Sequence, residues 1–417
     1  MNAPNIAVVK PDFGAQGGFE RHLARVIEGL RERSWSVTIV EIDGGTRPRR
    51  LYGLPIEAAQ LALHDEYFMH MALVERTQQL NLRHFDAVLS TQPPTYLVRH
   101  SHKVALFYHQ PRQFYDLAGP FMASGFVDPM IHKAASRAIR TLEREAVRDV
   151  RFWLAGSAEV AARLERYWSI PRELIAIHHA PPTSLPDAVP WHRPDGPVIS
   201  VGRQEWPKRA ELLIQAMHLM ETKRTAHLVG AGSRLDYLKS LDAEFHHDPN
   251  LVNSPFDDKL WLNRGIFSVG WKPYGGPPSG KIVFEGDVTD ERRDQLYDEA
   301  VAVVAPAFKE DYGLTAIEAM VRAKPVIVCR DGGGLTELIT DGVNGVIVEP
   351  NAHALAAALD RLVRDPARAS RLGEAARISV QSITLGQAVT QVEHALHTVL
   401  ARSHLGLSLT GRPKGHR

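Results

Sequence analysis

The chain has one cysteine, Cys329, among its 417 residues, so no intrachain disulfide can form. It lies in the apolar run 325–329, where a cysteine is expected to behave as a small buried hydrophobe rather than a nucleophile. Charge of one sign is also missing: 49 Lys and Arg stand against 48 Asp and Glu, a formal net charge of +1. A nucleic-acid binder needs a strongly basic face, so no nucleic-acid partner is expected, and any positive field must be local. No apolar run reaches the roughly 20 residues that cross a bilayer. The opening Met1-Asn2-Ala3-Pro4 passes directly into Ile6-Ala7-Val8-Val9, without the basic segment and long apolar stretch of a signal peptide. The sequence therefore reads as a cytoplasmic protein with no transmembrane segment. It leaves peripheral membrane contact open and does not set the oligomeric state. Metal-ligand spacing is lacking too. Of the 20 histidines, His178-His179 and His246-His247-Asp248 are adjacent, whereas helical metal sites space ligands three or four apart and add a third. No metal and no other cofactor is expected.

What is present is alternation. A length of 417 residues exceeds what one core usually supports, so two domains are expected. Short β-rich runs at 6–10, 37–42, 87–90, 104–109, 152–155 and 174–178 alternate with helical patterns, the mark of βαβ units around a parallel sheet. One helix, 19–32, carries an apolar stripe at Leu23, Val26, Ile27 and Leu30. The stretch 129–147 is rich in Arg and Lys and reads as a solvated face. The segment 181–196 holds five prolines and little periodicity, as an interdomain linker would. Beyond it the alternation restarts, with strands expected at 198–201, 226–229, 282–284, 301–305, 326–328 and 346–348. The segment 245–280 is too rich in Gly, Pro, Asn and aromatics for an ordinary connection. The expected division is 1–185, 186–383, a helix within 384–404, and a disordered tail 405–417.

Four groups of residues could carry chemistry. Arg203 closes one expected strand, and Lys208 opens the following helix. In an open α/β sheet ligands sit at the carboxyl ends of strands, where two cations and a helix N-terminus suit a diphosphate. Position alone favours two solvated surface cations. Glu310 and Glu318 flank Tyr312-Gly313-Leu314-Thr315, and Glu318 falls within an apolar helical run. A carboxylate there needs a partner to offset desolvation. Eight residues of helix span roughly 12 Å, near the reach from sugar to ribose in a sugar nucleotide. Gly17-Gly18 opens the first helix, and Tyr108-His109-Gln110-Pro111 follows an expected strand.

These segments, taken in order, resemble retaining glycosyltransferases of family 4, which have the GT-B fold: two Rossmann-like α/β domains whose parallel sheets face across a cleft. Glu310 through Glu318 is similar to that family's E-x(7)-E motif, and Gly202-Arg203 with Lys208 to its G-R-x(4)-K motif. The run from Arg330 to Ile339 followed by Asp341-Gly342-Val343-Asn344-Gly345 is similar to the segment that regularly comes next. Gly17-Gly18 resembles the family's glycine loop, and Tyr108-His109-Gln110-Pro111 its H-x-P segment.

The resemblance implies a hexosyltransferase that takes a UDP- or GDP-sugar and a hydroxyl-bearing acceptor, retains configuration and needs no metal. Arg203 and Lys208 would bind the diphosphate, Glu310 the sugar hydroxyls and Glu318 the ribose. His109 would line the reacting face. Gly17 and Gly18 would allow close approach, and Tyr312, Gly313, Leu314, Thr315 and Val288 would complete the donor pocket. The donor would sit chiefly on the C-terminal domain and the acceptor on the N-terminal one. The last helix would cross back to the first domain. Two departures stand out. Arg209 occupies a position where the family commonly has glycine, so its side chain either faces solvent or adds a phosphate contact. The segment 245–280 is an oligomer contact, a cleft lid or a tolerated loop.

Other functions remain in view: a GT-B sugar-nucleotide epimerase, a non-catalytic nucleotide-sugar sensor, and an NAD-dependent dehydrogenase. The last would use Gly14, Gly17 and Gly18 with Glu41 or Asp43 at the second strand. Its glycine spacing is wrong, however, and it leaves Arg203, Lys208, Glu310 and Glu318 without roles.

Overall fold

The structure, a computed structural model, describes residues 3–14, 17–123, 127–186, 188, 193–253 and 273–404. It contains two six-stranded parallel sheets. The first comprises β1 (Asn5–Asp12), β2 (Ser36–Asp43), β3 (Ala87–Ser90), β4 (Lys103–Phe107), β5 (Val150–Ala155) and β6 (Ile175–Ile177), in the order β2-β1-β3-β4-β5-β6. The second comprises β7 (Val198–Val201), β8 (Ala226–Val229), β9 (Ile282–Gly286), β10 (Ala302–Ala305), β11 (Val326–Cys329) and β12 (Val346–Val348), in the order β9-β8-β7-β10-β11-β12. Each strand expected from the sequence is present, with ends moved by no more than two residues. The most consequential shift is at β4, which stops at Phe107 and leaves His109 in a loop.

Continuous apolar strands are what sheets covered on both faces require. Ile6, Ala7, Val8 and Val9 are fully buried, as are Val88, Leu89, Val104, Ala105, Leu106 and Phe107. On one face, the helix Gly18–Glu32 buries Leu23, Val26, Ile27 and Leu30, the stripe read from its periodicity. Burying side chains of this size contributes about 1.5–3 kcal/mol each.

The final helix, Leu385–His404, packs on this first sheet although it follows the second in sequence. Val389, Val392, Leu396 and Val399 share one core with Ile6, Leu23 and Leu30. Gly29 permits the approach, since a Cβ there would lie 2.5 Å from Val389. Glu393 accepts hydrogen bonds from Arg33 (2.7 Å) and the Trp35 indole (3.0 Å), fixing the helix register.

The basic segment folds as the helix Pro129–Ala146, capped by Asp128. Lys133, Arg137 and Arg144 are exposed as expected, but Arg140 turns inward and stacks 5.2 Å from the Tyr115 ring. Between β2 and β3 lie a two-stranded hairpin, Arg50–Leu51 with Leu54–Pro55, and the helices Ala58–Leu63 and Asp65–Gln78. Phe245 is no part of an inserted loop: it is buried in the last turn of the helix Leu235–His247. The centre of the expected insertion, 254–272, and the expected tail, 405–417, lie outside the described residues. Among the described residues no helix is long and apolar enough to cross a membrane.

Candidate functional site

In the second sheet the strand order reverses between β7 and β10, and the carboxyl ends of those two strands open a crevice where α/β sheets bind ligands. A hollow lies there, lined among others by Gly202, Arg203, Lys208, Glu310 and Thr315. Its central feature is an ion pair: Lys208 Nζ lies 2.7 Å from Glu310 Oε2, with side chains 35% and 17% exposed. Arg203 stands exposed at the lip, and among the described residues its guanidinium has no ion-pair partner.

Each of these side chains is held by its loop. The buried Gln204 amide donates to Gly202 O (3.0 Å) and Val229 O (3.3 Å), closing the turn after β7. Glu310 is pinned by its backbone, whose N–H donates to Gly332 O (2.9 Å) and whose carbonyl accepts from Gly334 N (2.8 Å). Gly313, at φ 105°, turns the chain into the helix Leu314–Met320; a side chain there would also strike Leu335.

Arg209 corrects both sequence expectations for it. The side chain neither faces solvent nor lines the hollow. It is buried, grips Asp331 with two bonds (2.8 and 2.6 Å), and donates from Nε to Pro306 O at 2.8 Å. Its φ of 52° is left-handed, a conformation that costs a non-glycine residue and persists only when surroundings over-determine it. The grip welds the loops after β7, β10 and β11 around the hollow.

Not all the sequence-derived candidates converge. Glu318 is 3% exposed beneath the hollow, where Oε1 accepts from Thr183 Oγ1 (2.5 Å) and Oε2 from the Tyr297 hydroxyl (3.3 Å). It does not line the cavity. Tyr312 is also turned away: its hydroxyl donates to Ala180 O at 2.7 Å, and its ring packs edge-on against Tyr108. Val288 and Leu314 pack against the apolar core behind the β10 loop. Gly17 donates to Glu20 Oε2 at 2.8 Å, and a Cβ on Gly18 would lie 2.7 Å from Leu314 Cδ2. Gly18 thus lets the first helix press on the helix that opens at the hollow. His109 Nδ1 lies 2.9 Å from Gln110 O, and its ring is close enough to Asp311 to favour that carboxylate.

Between the sheets runs a polar seam that sequence reasoning missed. Arg163 Nη1 pairs with Asp311, Arg112 Nη1 reaches the same oxygen at 3.2 Å, and Arg163 Nη2 donates to Lys309 O at 2.8 Å. Ser157 Oγ donates to Asp311 O at 2.6 Å. Glu337 accepts from the N–H groups of Ala158 (2.8 Å) and Glu159 (2.7 Å), capping a helix of the other unit. Burial pushes the Asp311 carboxyl up, but Arg112, Arg163 and His109 outweigh it and hold the group below the usual range. The partners lie 148 and 199 residues from Asp311 in the chain, in segments of unlike pattern; only the place of Arg112 just after His109-Gln110-Pro111 hinted at the site.

Behind the glycine pair, His22 and His178 meet at 3.0 Å between their Nε2 atoms, both buried. Burial lowers both rings, His178 to about 4, so the contact joins two neutral imidazoles, one donating and one accepting.

Comparison with known proteins places this geometry. Residues 278–379 match the family described as glycosyl transferases group 1. The chain is 36% identical over 279 residues to a D-inositol 3-phosphate glycosyltransferase of Streptomyces griseus subsp. griseus, across 61% of this chain and 56% of that one. It is 32% identical over 171 residues to an uncharacterized glycosyltransferase of Methanocaldococcus jannaschii, across 40% and 36%. The matched segments therefore span at most 56% of these relatives' own length. Among solved structures, sucrose-phosphate synthase of Thermosynechococcus elongatus superposes with TM-score 0.66 at 20% identity, over 96% of this chain and all of that one. The Anabaena protein HepE in complex with UDP-glucose gives 0.62 at 16% identity, over 94% and 99%. Likeness at these identities speaks for the fold, and the family match for the second sheet. Residues 278–379 are thus similar to glycosyl transferases group 1, within a two-sheet fold of the GT-B kind.

Proposed function

We propose that the protein transfers a hexose-type sugar from a UDP- or GDP-sugar to a hydroxyl acceptor, retaining configuration and using no metal. The observation that carries this reading is the meeting of Lys208 and Glu310 in the switch-point hollow, with Arg203 at its lip. When a sugar leaves a nucleotide diphosphate, negative charge grows on the bridging oxygen. Fixed cations aimed at it lower the barrier, often as the largest catalytic contribution. Lys208 and Arg203 are the cations available. A partly exposed ion pair such as Lys208–Glu310 contributes only about 0–1 kcal/mol, so exchanging Glu310 for a phosphate costs little. Glu310, once released, accepts from sugar hydroxyls. Glu318 reaches a ribose only if Thr183 gives it up, and His109 meets the sugar from the facing unit.

The complex of HepE with UDP-glucose supports the donor class. The family match speaks for sugar transfer over dinucleotide oxidoreduction. The donor sits on the second sheet in this reading, and the acceptor on the first.

A thermal-shift screen against UDP-glucose, UDP-N-acetylglucosamine, GDP-mannose and NAD tests it. A nucleotide sugar should raise the melting temperature and NAD should not; a shift with NAD alone would overturn the reading. Turnover should survive a chelator, and strict dependence on added divalent metal would remove the metal-free mechanism.

A further inference from the structure

The polar seam does more than join two sheets, because its central residue is the immediate neighbour of Glu310. Glu310 sends its side chain into the hollow toward Lys208, and Asp311 sends its own toward Arg112 and Arg163 of the facing unit. Both residues hang on one short stretch held to backbone atoms of Asp331, Gly332 and Gly334: Lys309 N donates to Asp331 O (2.8 Å), Glu310 N to Gly332 O (2.9 Å) and Gly334 N to Glu310 O (2.8 Å). Arg163 grips the same stretch twice, at the Asp311 carboxylate and at Lys309 O, and is itself 3% exposed. Arg112 comes from the segment after β4 that also carries His109, and it also pairs with Asp116 at 2.8 Å. One carboxylate thus ties the loop bearing His109 to the loop bearing Glu310.

We propose that Asp311 is a positioning residue, which sets Glu310 and His109 in register across the cleft by accepting Arg112 and Arg163 together. This rests on the proposed transfer reaction, since it assumes that Glu310 meets the sugar. Docking of the two units and placement of Glu310 are then one event. Reacting groups set about 1 Å off can lose about 100-fold in rate. The donor site itself, built from the second sheet, is left whole when Asp311 is altered.

The test uses the full chain with Asp311→Asn, which keeps the shape, and Arg112→Ala, which spares the buried Arg163 contact. Glu337→Gln serves as comparison, because it weakens an inter-sheet contact that does not touch the 309–311 stretch. UDP and GDP affinity, turnover of UDP-glucose and GDP-mannose, and amide exchange at Lys309 and Glu310 are measured on each. Asp311→Asn and Arg112→Ala should bind the nucleotide as wild type does, turn over about tenfold to 100-fold more slowly, and exchange faster at Lys309 and Glu310. Glu337→Gln should change none of these much. Unchanged turnover or unchanged exchange in Asp311→Asn overturns the proposal, and so does an equal loss in Glu337→Gln. If wild type neither binds nor turns over any nucleotide sugar, the proposed function fails instead, and the exchange rates still decide whether Asp311 holds the stretch.

Discussion

Lys208 and Glu310 reach toward each other from the loops after β7 and β10 and meet at 2.7 Å, 102 residues apart in the chain. Neither strand is next to the other in sequence. The strand-order reversal makes them neighbours, and so it makes the hollow.

Removing either side chain should therefore harm chemistry and spare the fold. Lys208→Ala and Glu310→Ala are each expected to lower turnover by about 10²–10³, the usual loss for one charge-stabilising group. The partly exposed pair contributes about 0–1 kcal/mol to stability, so melting should change little. Turnover and thermal melting on the same preparations check this. A folded mutant with near-normal transfer would contradict the roles given to these residues.

A branched side chain at Gly18 should displace the tip of Leu314. The Cβ of valine would meet Leu314 Cδ2 at 2.7 Å, and overpacking of this kind costs about 1–3 kcal/mol. Leu314→Ala should recover most of the loss in the double mutant. Additive losses in denaturant unfolding would show that the two residues do not press on each other.

Arg209 offers a backbone test. Arg209→Gly and Arg209→Ala both lose the grip on Asp331, but only glycine is at ease at φ 52°. The glycine variant should be the more stable by about 1 kcal/mol. Equal unfolding midpoints would mean that the turn relaxes once the guanidinium is gone.

The buried histidines predict an acid weakness. His178 titrates near 6.5 when unfolded and at about 4 when folded. Below about 6.5 the unfolded ring binds a proton that the folded ring refuses. The stability is thus complete above about 6.5, falls as pH drops, and stops falling below about 4. A difference of this size corresponds to about 3 kcal/mol. Melting temperature should decline from pH 7.5 to 5, and His22→Gln with His178→Gln should flatten that decline. An undiminished slope in the folded double mutant would place the acid sensitivity elsewhere.

The periodic parts of this fold were legible before any coordinates. Ile6–Val9 read as a strand buried on both faces because parallel sheets need unbroken apolar runs, and Leu23, Val26, Ile27 and Leu30 read as one helix face because they recur every turn. Arg203, Lys208 and Glu310 could be picked out by their resemblance to the G-R-x(4)-K and E-x(7)-E motifs, which position alone did not supply. Glu318 is the candidate whose setting the sequence left open, for a reason of packing. Its spacing from Glu310 fits a sugar nucleotide, yet Thr183 and Tyr297, both distant in sequence, enclose it. Arg209 was misjudged because the partner that buries it, Asp331, lies 122 residues away.

What the sequence determined by itself was local: which segments are strands, which helices, and which polar residues end them, since these follow from periods of two and 3.6 residues and from turn chemistry. What only the tertiary structure decided was pairing. Whether a charged side chain faces a ligand or another side chain depends on which loops the strand order brings within a few ångströms, and no local pattern carries that distance. Asp311 shows the limit: beside Glu310 in the chain, it faces the other way, toward two arginines that only the meeting of the sheets supplies.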